Sequence, residues 1–137
     1  MSASNKKEPT KVLIIEDEGD ICLLLNIILK NEDLDLDLDH VKTLEKAKEY
    51  LDVENPVVII LDNRLPDGLG VDFIPYLRTH FPAIKICMIS GYHAATAKDI
   101  ALENGADVFL EKPFTKEQVY NAVKSLLVKS DNIPVVE

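Results

Sequence analysis

The chain has 137 residues, 47% hydrophobic and 28% charged, with a net charge of −9. That balance suits one soluble globular domain, which at this size buries roughly 68–70% of the surface its unfolded chain exposes. It speaks against nucleic-acid binding, which needs clustered Lys and Arg; no apolar run reaches the roughly 18–20 residues of a membrane span and no signal peptide opens the chain, so a cytoplasmic location is expected.

Residues 1–10 are polar and are expected to be flexible. Lys11 to Ile15 (KVLII) predicts a strand that ends in Glu16-Asp17-Glu18. Three carboxylates at a strand exit repel one another, so they are either solvated or hold a cation. Ile21, Leu24, Leu25, Ile28 and Leu29 recur at helical spacing and predict a helix with that face inward. Leu34 to Val41 (LDLDLDHV) alternates strictly, which predicts an edge strand whose aspartates face water. Thr43 to Leu51 predicts a short helix burying Leu44, Ala47 and Leu51.

After Pro56, Val57 to Leu61 is an unbroken apolar run, the pattern of a strand buried on both faces of a parallel sheet. It runs into Asp62, and Leu65, Pro66, Asp67, Gly68 and Gly70 then supply turn chemistry. Ligands of open α/β sheets bind just outside the carboxyl ends of the strands, where strand order reverses. Asp62 is therefore a reactive group, a metal ligand or simply a turn starter.

Val71, Ile74 and Leu77 continue as a helix to His80, in which Pro75 predicts a kink or a late start. Ile84 to Ile89 is another buried strand, surfacing at Ser90-Gly91-Tyr92. A helix over Ala94 to Asn104 is closed by Gly105. Asp107 to Leu110 is a strand leading to Glu111-Lys112-Pro113-Phe114, and Thr115 with Gln118 forms a capping box for the last helix. Val119, Ala122, Val123, Leu126 and Leu127 give that helix its inner face. Cys22 and Cys87 read as separate buried thiols, not as a disulfide or zinc ligands.

Strand and helix alternate throughout, which predicts an α/β fold: a five-stranded parallel sheet, doubly wound, with five helices on two faces. With the acidic strand at one edge, the flavodoxin-like order 2-1-3-4-5 follows. The domain spans 11–129, between the flexible start and a tail at 130–137. Under that order Glu16, Asp17, Asp62, Ser90 and Lys112 stand at neighbouring strand exits around one crevice. The carboxylates fit Mg²⁺, a hard ion that takes oxygen ligands, and without it they raise one another's pKa values. A metal, a carboxylate nucleophile, an ammonium and a hydroxyl are the parts of a phosphoryl-transfer site. Asp62 would attack phosphorus, Lys112 and Mg²⁺ would neutralise the equatorial oxygens, and Ser90 would donate to one of them.

Glu16-Asp17, Asp62 with its Leu65-Pro66 turn and Gly70, Ser90, and Lys112-Pro113 occur in that order. In this the chain resembles the CheY-like receiver domain of response regulators in bacterial two-component signalling, over about Lys11 to Lys129. The resemblance implies that a histidine kinase or histidine phosphotransfer protein passes a phosphoryl group to Asp62 in a phosphorelay. It implies that Asp17 ligates Mg²⁺ directly, Glu16 through water and Arg64 through its backbone carbonyl, with Asp62 also counted among the metal-site residues. Ser90 and Phe109 would then switch the surface made by the fourth helix, fifth strand and fifth helix, and the Lys112-Pro113 bond would be cis.

The resemblance further implies a protein that catalyses only its own phosphorylation and dephosphorylation, a monomer or phosphorylation-dependent dimer. Arg64 and Tyr92 flank the site, and their bulk predicts a long-lived phosphoprotein. The start at Met1 favours a stand-alone regulator over a receiver cut from a larger regulator or hybrid kinase. A small phosphatase with an aspartyl nucleophile would carry a second Asp where Arg64 stands. A flavodoxin-like electron carrier would need a hydroxyl- and Gly-rich loop where EDEGD stands. A degenerate receiver would lack a site residue, and each is present.

Overall fold

The structure, a computed structural model, describes residues 8–30, 33–91 and 94–131. In chain order its elements are β1 (Thr10–Ile15), α1 (Gly19–Leu29), β2 (Leu36–Val41), α2 (Leu44–Val53), β3 (Val58–Asp62), β4 (Arg64–Leu65), β5 (Gly68–Leu69), α3 (Gly70–His80), β6 (Lys85–Ser90), α4 (Ala94–Asn104), β7 (Val108–Glu111) and α5 (Lys116–Asp131). The apolar run after Pro56 becomes β3, buried along its whole length because strands pair with it on both sides and helices cover both faces. The parallel sheet has the order β2-β1-β3-β6-β7, which is the expected 2-1-3-4-5 once the small antiparallel hairpin β4-β5 is set apart. That hairpin has no counterpart among the expected elements.

Alternation along the strands divides the core in two. Val12, Ile14, Val58 and Ile60 face α1 and α5, while Leu13, Ile15, Ile59 and Leu61 face α2, α3 and α4. Strand order reverses between β1 and β3, so the exits carrying Glu16-Asp17 and Asp62 lie side by side. The capping box holds: Gln118 N–H donates to Thr115 Oγ1 at 3.0 Å, and Thr115 N–H donates to Gln118 Oε1 at 2.8 Å. Gly105 closes α4 with φ +116°, where its N–H and that of Ala106 both donate to the Ala101 carbonyl. Cys22 and Cys87 are buried free thiols.

Several local expectations are revised. Helix α1 buries Cys22 with Leu25, Ile28 and Leu29, and leaves Leu24 exposed. Apolar residues nearly encircle this helix, so spacing alone does not single out its inner face. Asp37 and Asp39 of β2 lie level with Lys11 and Leu13, on the face covered by α2. They are not merely solvated: Lys11 Nζ lies 3.1 Å from Asp37 and 3.5 Å from Asp39, and Tyr50 donates its hydroxyl to Asp39 at 2.7 Å.

Helix α3 starts at Gly70 with no delay and runs through Pro75 to His80. The carbonyl that Pro75 cannot serve, that of Val71, accepts instead from the Asn104 side chain at 2.9 Å. Helix α5 continues to Asp131, two residues past the expected end of the domain. Residues 1–7 and 132–137, and with them most of the expected flexible start and tail, lie outside the described residues, as does Tyr92.

Candidate functional site

Each acidic side chain of the crevice is placed by a strand that ends beneath it. Glu16 follows β1 and is 0% exposed, and Asp62 ends β3 and is 4% exposed. Asp17 is the solvent-side member. One carboxylate oxygen from each of the three lies within 4.8 Å of the others. Lys112, just past β7, extends its ammonium to 3.1 Å from Asp62 Oδ1, 3.4 Å from Glu16 Oε1 and 3.7 Å from Glu18 Oε1. Its stem packs against Gly91, where an added Cβ would stand 3.3 Å from the Lys112 Cβ. The Lys112-Pro113 bond is cis, as expected.

Five of the expected site residues meet here or at the rim. Asp17, Asp62, Arg64 and Lys112 line a cleft of about 430 Å³ with Leu65, Pro66 and Gly91. Glu16 is buried beside it, its carboxylate 3.4 Å from the Lys112 ammonium. Ser90 is 1% exposed at the β6 exit, where its carbonyl accepts the Lys112 N–H at 2.9 Å. Phe109 stands on β7, half-buried against the core on the α4 side.

The charges do not balance. Burial, and then the negative charge of Asp62, push the Glu16 carboxyl up to about 7, despite the Glu18 N–H and Lys112. Burial raises Asp62 too, with Lys112 opposing. Burial alone would lower Lys112, but Asp62 and Glu16 outweigh it and hold the ammonium protonated. One ammonium thus faces a crowd of carboxylates, two of them withdrawn from water. The donor set fits Mg²⁺: it is all oxygen, and ligands about 2.1 Å from such an ion lie no more than about 4.2 Å apart. Little movement separates these oxygens from that spacing.

Two residues of the loop after Asp62 matter in ways the sequence reading missed. Asn63 accepts the Val71 N–H on its side-chain oxygen at 3.0 Å, across the turn from Asp62. Asp67 accepts the N–H groups of Leu44 and Glu45 at 2.9 and 3.0 Å, joining Thr43 in capping α2. Asn and Asp near a turn signal capping in general. The partners stand 8 to 23 residues away, beyond the reach of a local pattern.

A doubly wound parallel sheet with an acid and lysine cluster at its switch point defines a class of α/β domain. The family model of the response regulator receiver domain matches residues 12–124, and the chain belongs to that family. It is 33% identical over 129 residues to the response regulator protein PilR of Pseudomonas aeruginosa, covering 91% of this chain and 28% of that protein. It is 36% identical over 105 residues to the KDP operon transcriptional regulatory protein KdpE of Escherichia coli, covering 77% of this chain and 45% of that protein.

Among solved structures it resembles the beryllofluoride-activated NtrC4 receiver domain dimer, with TM-score 0.81, 32% identity and coverage of 88% of this chain and 98% of that one. A CheY-like receiver domain protein from Methanospirillum hungatei shares the fold, with TM-score 0.81 at 22% identity, covering 90% of this chain and 97% of that one. The chain spans about a quarter to a half of the length of the curated relatives it matches. Among the described residues no helix is long and apolar enough to cross a membrane.

Proposed function

We propose that Asp62 accepts a phosphoryl group from a histidine kinase or a histidine phosphotransfer protein, in a Mg²⁺-dependent reaction that changes a surface read by a downstream partner. The observation that carries this reading is the Lys112 ammonium 3.1 Å from a buried Asp62 that shares its crevice with two more carboxylates. Asp17, Asp62 and the Arg64 carbonyl would hold the ion, with Glu16 acting through water. When bound, Mg²⁺ supplies positive charge opposite the oxygens of the transferred group.

The Asp62 oxygen forms its bond to phosphorus as the donor's nitrogen–phosphorus bond breaks, and the imidazole leaves with the electron pair. Lys112, kept protonated by its two carboxylate neighbours, offsets charge gathering on the phosphoryl oxygens. Ser90 donates its hydroxyl to the phosphorylated site, Phe109 moves inward behind it, and the surface of α4, β7 and α5 changes shape. Arg64 at the cleft rim shields the acyl phosphate from water and prolongs its life. A cytoplasmic location, a monomer that dimerises on phosphorylation, and output through protein partners complete the proposal.

Incubation with Mg²⁺ and phosphoramidate, followed by intact mass, tests it. One phosphoryl group is expected on the wild type, none on Asp62→Asn, and a much slower gain on Asp17→Asn. Equal labelling of Asp62→Asn would refute the assignment. Sustained turnover of a simple phosphate ester would instead favour a phosphatase.

A further inference from the structure

The residue after Asp62 is tied to the protein through both backbone groups and its side-chain oxygen. Asn63 donates its backbone N–H to the Ile89 carbonyl at 3.1 Å and accepts the Gly70 N–H on its carbonyl at 2.7 Å. Its side-chain oxygen accepts the Val71 N–H at 3.0 Å. The two backbone bonds are open to almost any residue. The third requires a short side chain carrying an acceptor.

Val71 N–H belongs to the first turn of α3, where amides have no partner within the helix. Leu69, at the N-cap of α3, supplies no side-chain acceptor. Asn63 therefore caps the helix from eight residues upstream, closing the loop that carries Arg64 and the hairpin. The first turn also packs tightly on the acceptor strand: a Cβ at Gly70 would stand 2.5 Å from the Asp62 carbonyl oxygen. Any slip of that turn is felt at the Asp62 peptide.

We propose that Asn63 is a positioning residue for phosphoryl transfer. By capping α3 at Val71, its side-chain oxygen fixes the backbone on which Asp62 and the Arg64 carbonyl stand. The inference rests on the reading of Asp62 as phosphoryl acceptor. Leucine would fill similar volume without the acceptor, leaving the Val71 amide unpaired and the turn free to shift. Aspartate would restore the acceptor at a helix N-terminus.

The test compares Asn63→Leu, Asn63→Asp and Asn104→Ala with the wild type. Asn104→Ala removes the bond on the other side of the Val71 residue, at its carbonyl. Phosphorylation rate is followed against phosphoramidate concentration, Mg²⁺ affinity by calorimetry, and stability by thermal unfolding. Asn63→Leu is expected to lose about tenfold in limiting rate, with the half-saturating donor concentration unchanged and Mg²⁺ binding weakened. Asn63→Asp should recover most of both, while Asn104→Ala should lose stability and keep the rate.

A wild-type rate and Mg²⁺ affinity in Asn63→Leu would overturn the proposal. An equal loss of rate in Asn104→Ala would do the same, since it would reduce Asn63 to a structural role. If Asn63→Leu does not fold, Asn63→Ala at low temperature is held to the same comparison. A wild type that takes no phosphate would remove the reading of Asp62, and Mg²⁺ affinity would then decide the positioning role by itself.

Discussion

The side-chain amide of Asn104 donates to the Val71 carbonyl at 2.9 Å, and that carbonyl is the one Pro75 leaves without a helical donor. The end of α4 thus completes the hydrogen bonding of α3. Removing the amide in Asn104→Ala should destabilise the domain by about 1–2 kcal/mol. In a Pro75→Ala background, where the substituted residue offers its own N–H to that carbonyl, the same change should matter less. A double-mutant cycle by denaturant unfolding measures the coupling; strict additivity would contradict this account.

Asp67 ties the hairpin to α2 by accepting two backbone N–H groups, and these bonds, led by that from Leu44, hold its carboxyl below the usual range. Asp67→Ala should lower stability by about 1 kcal/mol, as loss of a cap does. A depressed carboxyl contributes above its unfolded pKa and loses that contribution as pH falls through the folded one. The difference between wild type and Asp67→Ala should therefore shrink in strong acid. A gap that widens there would count against the capping role.

At the opposite end of α3, Arg78 donates to the carbonyls of Gly105, Pro82 and Ile84 and pairs with Asp107 at 2.8 Å. The same Asp107 oxygen accepts the Ile86 N–H at 2.8 Å. Arg78→Ala takes the donor from the part-buried carbonyls of Gly105 and Ile84 and the charge partner from Asp107, and should cost roughly 2–4 kcal/mol. Arg78→Lys should recover little, because one ammonium cannot span the fork of acceptors. Phosphorylation of folded Arg78→Ala should be unchanged, since these contacts lie far from the strand exits. A slowed reaction at a temperature where the variant is fully folded would contradict that separation.

These contacts show where reading from sequence stops. The order of the sheet follows from strand and helix alternation and from the acidic edge strand, and the acids and Lys112 follow from strand exits. Such features are local runs placed by one topological rule. Asn104 beside Val71 and Arg78 beside Asp107 are partners in space only, so neither signals the other along the chain. Helix α1 departs from expectation for another reason: with apolar residues nearly all round, its face is chosen by packing rather than by period. The aspartates of β2 show the right alternation, but Lys11 and Tyr50, which engage them, come from other elements.

Burial pushes the Glu16 carboxyl from 4.5 to about 7, and Asp62 is raised with it. A carboxyl whose folded pKa exceeds its unfolded value stabilises the fold fully below the unfolded value and loses that contribution as pH rises through the folded one. Metal-free protein should accordingly lose stability between pH 4.5 and about 7. Glu16→Gln should flatten that slope, and so should millimolar Mg²⁺. Thermal midpoints in chelator across the window check the sign; stability that rises with pH there would contradict it.

The central claim is that a carboxylate cluster and one lysine make Asp62 the seat of a transferable phosphoryl group. Reaction with phosphoramidate and Mg²⁺, then borohydride reduction and peptide mapping, tests it most directly, because reduction converts an acyl-phosphorylated aspartate to homoserine. The account predicts homoserine at position 62 alone, and none when Mg²⁺ is chelated. Homoserine at another aspartate, or at position 62 without any divalent ion, would contradict it.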